Sequence, residues 1–183
     1  GRAGEVPWDL KLRGGVAYLT SYAGARYNLS ESAVEVYFQR SVDGVRFEPV
    51  DPARVVSYHG GVSEVAFEFT AQGDAWFVTR NEDGDASGFG SHVCFAARES
   101  LAEWSCPERS DAERYDSPEM FRHGDELYLV ARRDVGGPYD QGLDLPVETA
   151  RLRYQAAYWG RPKRTAIYRI DREAQRVVHM VDL

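Results

Sequence analysis

The sequence predicts an all-β fold assembled by repetition, and two observations carry that expectation. Three stretches follow one plan: a strand, a Gly-bearing turn, a second strand, a long loop and a hairpin. The turns and second strands read Arg13-Gly14-Gly15-Val16-Ala17-Tyr18-Leu19, Gln72-Gly73-Asp74-Ala75-Trp76-Phe77-Val78 and His123-Gly124-Asp125-Glu126-Leu127-Tyr128-Leu129. Their glycines Gly14, Gly73 and Gly124 stand 59 and 51 residues apart. Units of that length built from four short strands are the signature of β-propeller blades.

The first unit, about residues 5–51, is expected to use Trp8 to Leu12, Val16 to Tyr22, Glu35 to Arg40 and Arg46 to Val50. The second, about 62–108, uses Ser63 to Thr70, Ala75 to Arg80, Ser91 to Ala97 and Trp104 to Cys106. The third, about 115–183, uses Ser117 to Arg122, Glu126 to Arg132, Thr165 to Ile170 and Arg176 to Val181. Val, Phe, Tyr and Trp enrichment between Gly- or Asp-bearing turns supports each strand. A helical insertion interrupts the third unit at about 134–163. Within it Val147 to Trp159 reads as a helix, with Asp144 just ahead, Pro146 in the first turn and Gly160 after it. Leu152, Gln155, Ala156 and Trp159 are expected to share one side, and the helix is expected to pack on the blade rim as a lid in preference to touching substrate. Three blades do not close a ring. The expectation is therefore a single partial propeller domain, residues 1–183, of a five- or six-bladed ring completed by the same longer polypeptide or by another chain.

Composition narrows the function. A net charge of -7 argues against nucleic acid or an anionic membrane as partner. No apolar run approaches the roughly 18 residues of a membrane span. The two cysteines, Cys94 and Cys106, lie on the arms of one hairpin. Folding it about Ser100 brings them opposite each other, which fits a cross-strand disulfide; two buried thiols in a reduced compartment fit equally. Asn81, Asp83, Asp85 and Ser87 alternate like the start of a calcium loop, but Ala86 and His92 replace its Gly and Glu, so a polar turn is the better reading. Asn28-Leu29-Ser30 matches a glycosylation sequon. No metal and no cofactor is expected.

Because chain direction alternates from strand to strand, the short turns fall on one face and the long loops on the other: Ala23 to Ser32, Asn81 to Gly90 and Asp134 to Lys163. Glu64 and Arg80 fall on that loop face in the second unit; Asp116, Ser117, Glu119, Arg132 and Arg133 do so in the third. Asp9 holds the matching edge of the first. Glu64, Asp116 and Glu119 are the candidate catalytic carboxylates. Arg80, Arg132, Arg133 and Asp9 are the candidate substrate-binding groups, arginine for its bidentate grip on anions and polyols. One acidic residue per blade rim also describes ordinary solvated surface.

Two features resemble the sialidase-like superfamily over roughly residues 35–133. Ser41-Val42-Asp43-Gly44-Val45-Arg46-Phe47 is similar to its Asp-box turn, and Glu64 followed by a strand, a turn and Arg80 resembles one of its inner hairpins. The resemblance implies an exo-glycosidase that removes terminal sugars from a carbohydrate ligand, in an extracellular or periplasmic setting. It gives Asp43 a purely structural role. The run from Asp116 to Tyr128 also resembles blade starts of five-bladed glycosidases acting on arabinose- or xylose-containing chains, in which Asp9, Glu64 and Asp116 or Glu119 would ring a central pit. A non-catalytic propeller that binds glycan or protein is the rival reading.

Overall fold

A computed structural model describes residues 4–24 and 34–183. The sequon and most of the first long loop lie outside the described residues. Among the described residues, twelve strands form three antiparallel sheets, with one helix beside them. The first holds β1 (Val6–Arg13), β2 (Val16–Ala23), β3 (Val34–Ser41), β4 (Glu48–Pro49) and β5 (Tyr58–Gly60). The second holds β6 (Val62–Phe69), β7 (Ala75–Asn81) and β8 (Val93–Ala96). The third is ordered β12-β11-β10-β9, with β9 (Asp116–His123), β10 (Glu126–Asp134), β11 (Lys163–Asp171) and β12 (Arg176–Asp182). The helix, α1 (Val147–Gly160), enters between β10 and β11.

Side-chain alternation builds the core. Val65, Phe67 and Phe69 of β6 and Phe77 of β7 face the first sheet, meeting Tyr22, Val36 and Phe38. Ala66, Trp76 and Val78 face the third sheet, meeting Met120, Leu127, Leu129, Tyr168 and Ile170. The middle sheet is thus buried on both faces. Packed sheets lie about 10 Å apart, so in a flat stack the outer two would be separated by about 20 Å. Instead Trp8 Nε1 of β1 donates to the Pro118 carbonyl of β9 at 3.1 Å, and Lys11 Nζ reaches Glu119 Oε1 at 3.3 Å. The sheets therefore converge along β1, β6 and β9 and fan outward, as propeller blades do around a hub. The fold is all-β, three blades of an open ring.

Several boundaries differ from the expected ones. Arg46 to Val50 narrows to the two residues of β4, and β5 continues its line: Gln39 pairs Pro49 while Val36 pairs Tyr58 on the same edge of β3. The Val50 and Ser57 amides still donate to the Phe38 and Val36 carbonyls of β3, and residues 51–56 loop out between them, where Pro52 has no amide to donate to the ladder. Ser91 to Ala97 shortens to β8, and the strand at Trp104 to Cys106 reduces to a bridge between Phe95 and Ser105. That bridge sets Cys94 against Cys106, and the two form a disulfide. The Asp43 turn is held locally, Asp43 Oδ1 accepting from the Val45 and Arg46 amides at 2.8 Å while Gly44 takes φ +74°.

The helix packs through the side away from Leu152 and Trp159. Ala150, Arg151, Tyr154 and Tyr158 are its buried residues, whereas Leu152 and Trp159 are 56% and 67% exposed. Its packing partners are tyrosines and polar groups. Tyr139, Tyr154 and Tyr158 make a small aromatic core with Phe89 and Leu143, and Arg151 Nε donates to the Asp83 carbonyl at 2.7 Å. Ranking faces by side-chain hydrophobicity misses a face whose hydroxyls and guanidinium are needed for hydrogen bonds.

Candidate functional site

All three hub strands carry a β-bulge near their start. Pairing slips between Pro7 and Asp9 in β1, between Val62 and Val65 in β6, and opposite Val130 to Arg132 in β9. A bulge bends its strand and re-aims the side chains around it. Here the displaced residues are Trp8, Ser63 with Glu64, and Ser117 with Pro118. Ser117 takes φ +50°, uncommon for a residue with a side chain. Its amide donates to Glu64 Oε2 at 3.2 Å. Two blade starts are joined at that hydrogen bond.

Around it lies a buried ionic cluster. Arg80, at the end of β7, contacts Glu64 through Nη1 and Asp116 through Nε, and its Nη2 lies 2.8 Å from Glu82 Oε1. Arg114 Nη2 stands 3.5 Å from Asp116 Oδ1 and 3.9 Å from Glu82 Oε1. Arg132 Nε donates to Asp116 Oδ2 at 3.0 Å, with Nη2 on the same oxygen. Tyr158 of α1 donates to that oxygen too. The Arg114 guanidinium sits between two rings, 4.4 Å from the Tyr158 centroid and 5.0 Å from that of Tyr139. Three carboxylates and three guanidiniums balance in formal charge. That balance is what makes their burial tolerable.

Environment separates the two candidate acids. Burial pushes the Glu64 carboxyl up; Arg80 and the Ser117 amide pull it down, the nearby Asp116 and Glu82 charges push it up, and the net shift is upward. Burial also acts on Asp116, but Arg80, the Tyr158 hydroxyl, Arg114 and Arg132 together outweigh it and hold that carboxyl below its ordinary range. The two carboxyls are thus shifted in opposite directions by their surroundings.

The remaining candidates fall into two other groups. Asp9 is buried; its Oδ2 accepts from the Phe67 amide at 2.9 Å and its Oδ1 meets Lys11 Nζ at 3.0 Å. Burial, only partly offset by that amide and Lys11, raises its pKa to about 6. Lys11 also holds Glu119, which is exposed. Arg133 does not join the site. Its guanidinium forms a two-point pair with Asp182 on the outermost strand β12, 2.8 Å at each contact, because neighbouring residues of β10 point to opposite faces and Arg132 takes the inward one. Sequence reading missed Glu82, Arg114 and Tyr158. Glu82 and Arg114 each lie two residues from a named candidate, so strand alternation carried a signal for both. Tyr158 comes from a distant helix and left no local signal.

Neither a family model nor a curated protein matches the chain. Solved structures do. A protein of unknown function from Dyadobacter fermentans aligns with a TM-score of 0.58 at 10% identity over 98% of this chain and 54% of its own. The phage phi92 endosialidase gives 0.54 at 16% identity, over 92% of this chain and 24% of its own. An exo-1,5-alpha-L-arabinanase from a bovine ruminal metagenomic library gives 0.50 at 11% identity, covering 97% and 60%. The chain thus spans about half the length of the Dyadobacter protein. At such identities the likeness is one of fold.

Proposed function

We propose that this chain is part of a glycan-hydrolysing propeller that acts on neutral sugars at the hub mouth. Glu64 is the proton donor, and Glu119 is the carboxylate that activates water. The observation that carries this reading is the bond from the Ser117 amide to Glu64. It fixes the acid against the strand that presents Glu119, two residues and at most about 7 Å of chain further on. Glu64 gives its proton to the glycosidic oxygen as the carbon–oxygen bond breaks. Water attacks the anomeric carbon and loses its proton to Glu119, so the charges balance. Asp116 keeps Arg80 in place and thereby the environment of Glu64. Asp9 acts through Lys11, which holds Glu119.

A neutral sugar suits the site better than sialic acid, because Arg80 is enclosed by Glu64, Glu82 and Asp116. Arg132, 46% exposed at its side chain, is left to grip hydroxyls at the rim. The endosialidase and arabinanase likenesses support the glycosidase class, and an extracellular or periplasmic setting follows from that class. The remaining blades would come from the same longer polypeptide or another chain. The test is hydrolysis of aryl arabinosides, xylosides and a sialoside by the chain and by Glu64→Gln. The variant should lose at least about 100-fold in kcat with its far-UV circular dichroism unchanged. Equal rates would remove Glu64 from the reaction, and a preference for the sialoside would reverse the choice of sugar.

A further inference from the structure

Beside the ionic cluster, on the same loop face, lies a cavity of 960 Å³, near the upper end of the roughly 300–1,000 Å³ typical of ligand sites. It opens between β5, the loop after β7 and the first turns of α1. Its walls include Tyr58, Asp85, Ser87, Glu108, Glu148 and Arg151. The Asp85 carboxylate is fixed before any ligand arrives. The Tyr58 hydroxyl donates to Oδ2 at 2.9 Å, and the Ser87 amide to Oδ1 at 2.9 Å, with the Ser87 hydroxyl on that same oxygen. The buried His92 braces Ser87 from behind, its Nε2 2.7 Å from the Ser87 hydroxyl oxygen. The loop's approach depends on missing side chains: a Cβ on Gly60 would stand 2.6 Å from Asp85 Oδ2. Such rigidity lowers the ordering cost of binding.

The cavity is coupled to the cluster by chain and by helix. Glu82 of the cluster is three residues from Asp85. Arg151 lines the cavity while Tyr158, seven residues and about 10 Å along the same helix, touches Asp116. That span is within the reach of a short oligosaccharide. Three wall carboxylates against one arginine, itself tied to the Asp83 carbonyl, repel an anionic sugar and accept hydrogen bonds from hydroxyls. The Tyr58 ring supplies an apolar surface for the carbon face of a sugar.

We propose that this cavity is a distal subsite for a neutral sugar unit, so that oligosaccharides bind more tightly than single sugar residues. This rests on the hub mouth being the hydrolytic site. The test measures binding of arabinotetraose, xylotetraose and 3′-sialyllactose by calorimetry, using the 183-residue chain and its Glu64→Gln, Asp85→Asn and Glu108→Ala variants. A neutral tetrasaccharide should bind the Glu64→Gln chain. Asp85→Asn should weaken it about tenfold, and the exposed Glu108→Ala, which leaves the loop's own hydrogen bonds intact, about threefold. Equal binding by all variants overturns the subsite and leaves the hydrolytic reading to its own assay. Binding that falls in both cavity variants, while no glycan is ever cleaved, keeps the subsite and overturns that reading. Failure of both tetrasaccharides to bind, or tighter binding of sialyllactose, overturns the subsite.

Discussion

Two buried interfaces flank the middle blade, and they are made of opposite materials. Toward the first blade it presents Phe67, Phe69 and Phe77 to Tyr22, Val36 and Phe38, with Trp104 stacked 4.0 Å from Phe77. Toward the third blade an apolar layer gives way, at the mouth, to Glu64, Arg80, Glu82, Arg114 and Asp116, all at most 7% exposed. The apolar side gains from every carbon it removes from water. The ionic side loses hydration on each charge and recovers it only where every charge finds a partner. The contrast teaches that one blade's two faces serve different ends: one holds the sheets together, the other holds charges where a bulged strand aims them.

The comparison can be broken at either interface. Phe77→Ala should cost about 3–5 kcal/mol in urea unfolding, since the ring is fully buried between sheets. A smaller loss would show that the first interface is less tightly packed than its aromatic contacts imply. Asp116→Asn leaves Arg80, Arg114 and Arg132 short of a counter-charge, and about 3 kcal/mol should be lost at neutral pH. Because the folded-state pKa of Asp116 lies below its unfolded value, its contribution is present above about pH 4 and disappears as pH falls through the lowered folded pKa. The variant and the parent should therefore converge in acid.

Asp9 has the opposite sign. Its folded pKa of about 6 lies above an unfolded value of about 3.9. The stability it contributes is complete below about pH 4 and is lost as pH rises through about 6. Between pH 4 and pH 8 the parent should lose up to about 3 kcal/mol relative to Asp9→Asn, read from paired urea titrations. Parallel curves would mean that Lys11 and the Phe67 amide compensate the carboxylate fully. The smallest effect is expected on the open face of the first blade, where Leu12 is 76% exposed. Leu12→Ser should stay within about 0.5 kcal/mol of the parent chain.

Much of this was legible in order along the chain. The Gly turns, the strand alternation of β6 and β7 and the facing of Cys94 by Cys106 follow from local patterns, and each was readable from a few residues. Glu64 and Arg80 were legible as neighbours because a hairpin of known turn position pairs its ends. The rest depended on contacts between residues remote in sequence. Nothing near Tyr158 announces that its hydroxyl meets Asp116, and although Pro52 marks a break after β4, no local signal shows that β5 rejoins the same edge of β3. Arg133 and Arg132 look alike in sequence, yet only the pleat of β10 decides which one turns inward.

By itself the sequence determined the all-β class, the blade repeat and the loop-bearing face with the carboxylates that fall on it, because these rest on short-range periodicity and turn chemistry. Tertiary structure alone decided that the three bulged strands converge, that Arg80 is enclosed by carboxylates, and that a tyrosine-lined helix seals the cluster. Those outcomes depend on which distant groups share a buried space, and burial is a property of the folded whole.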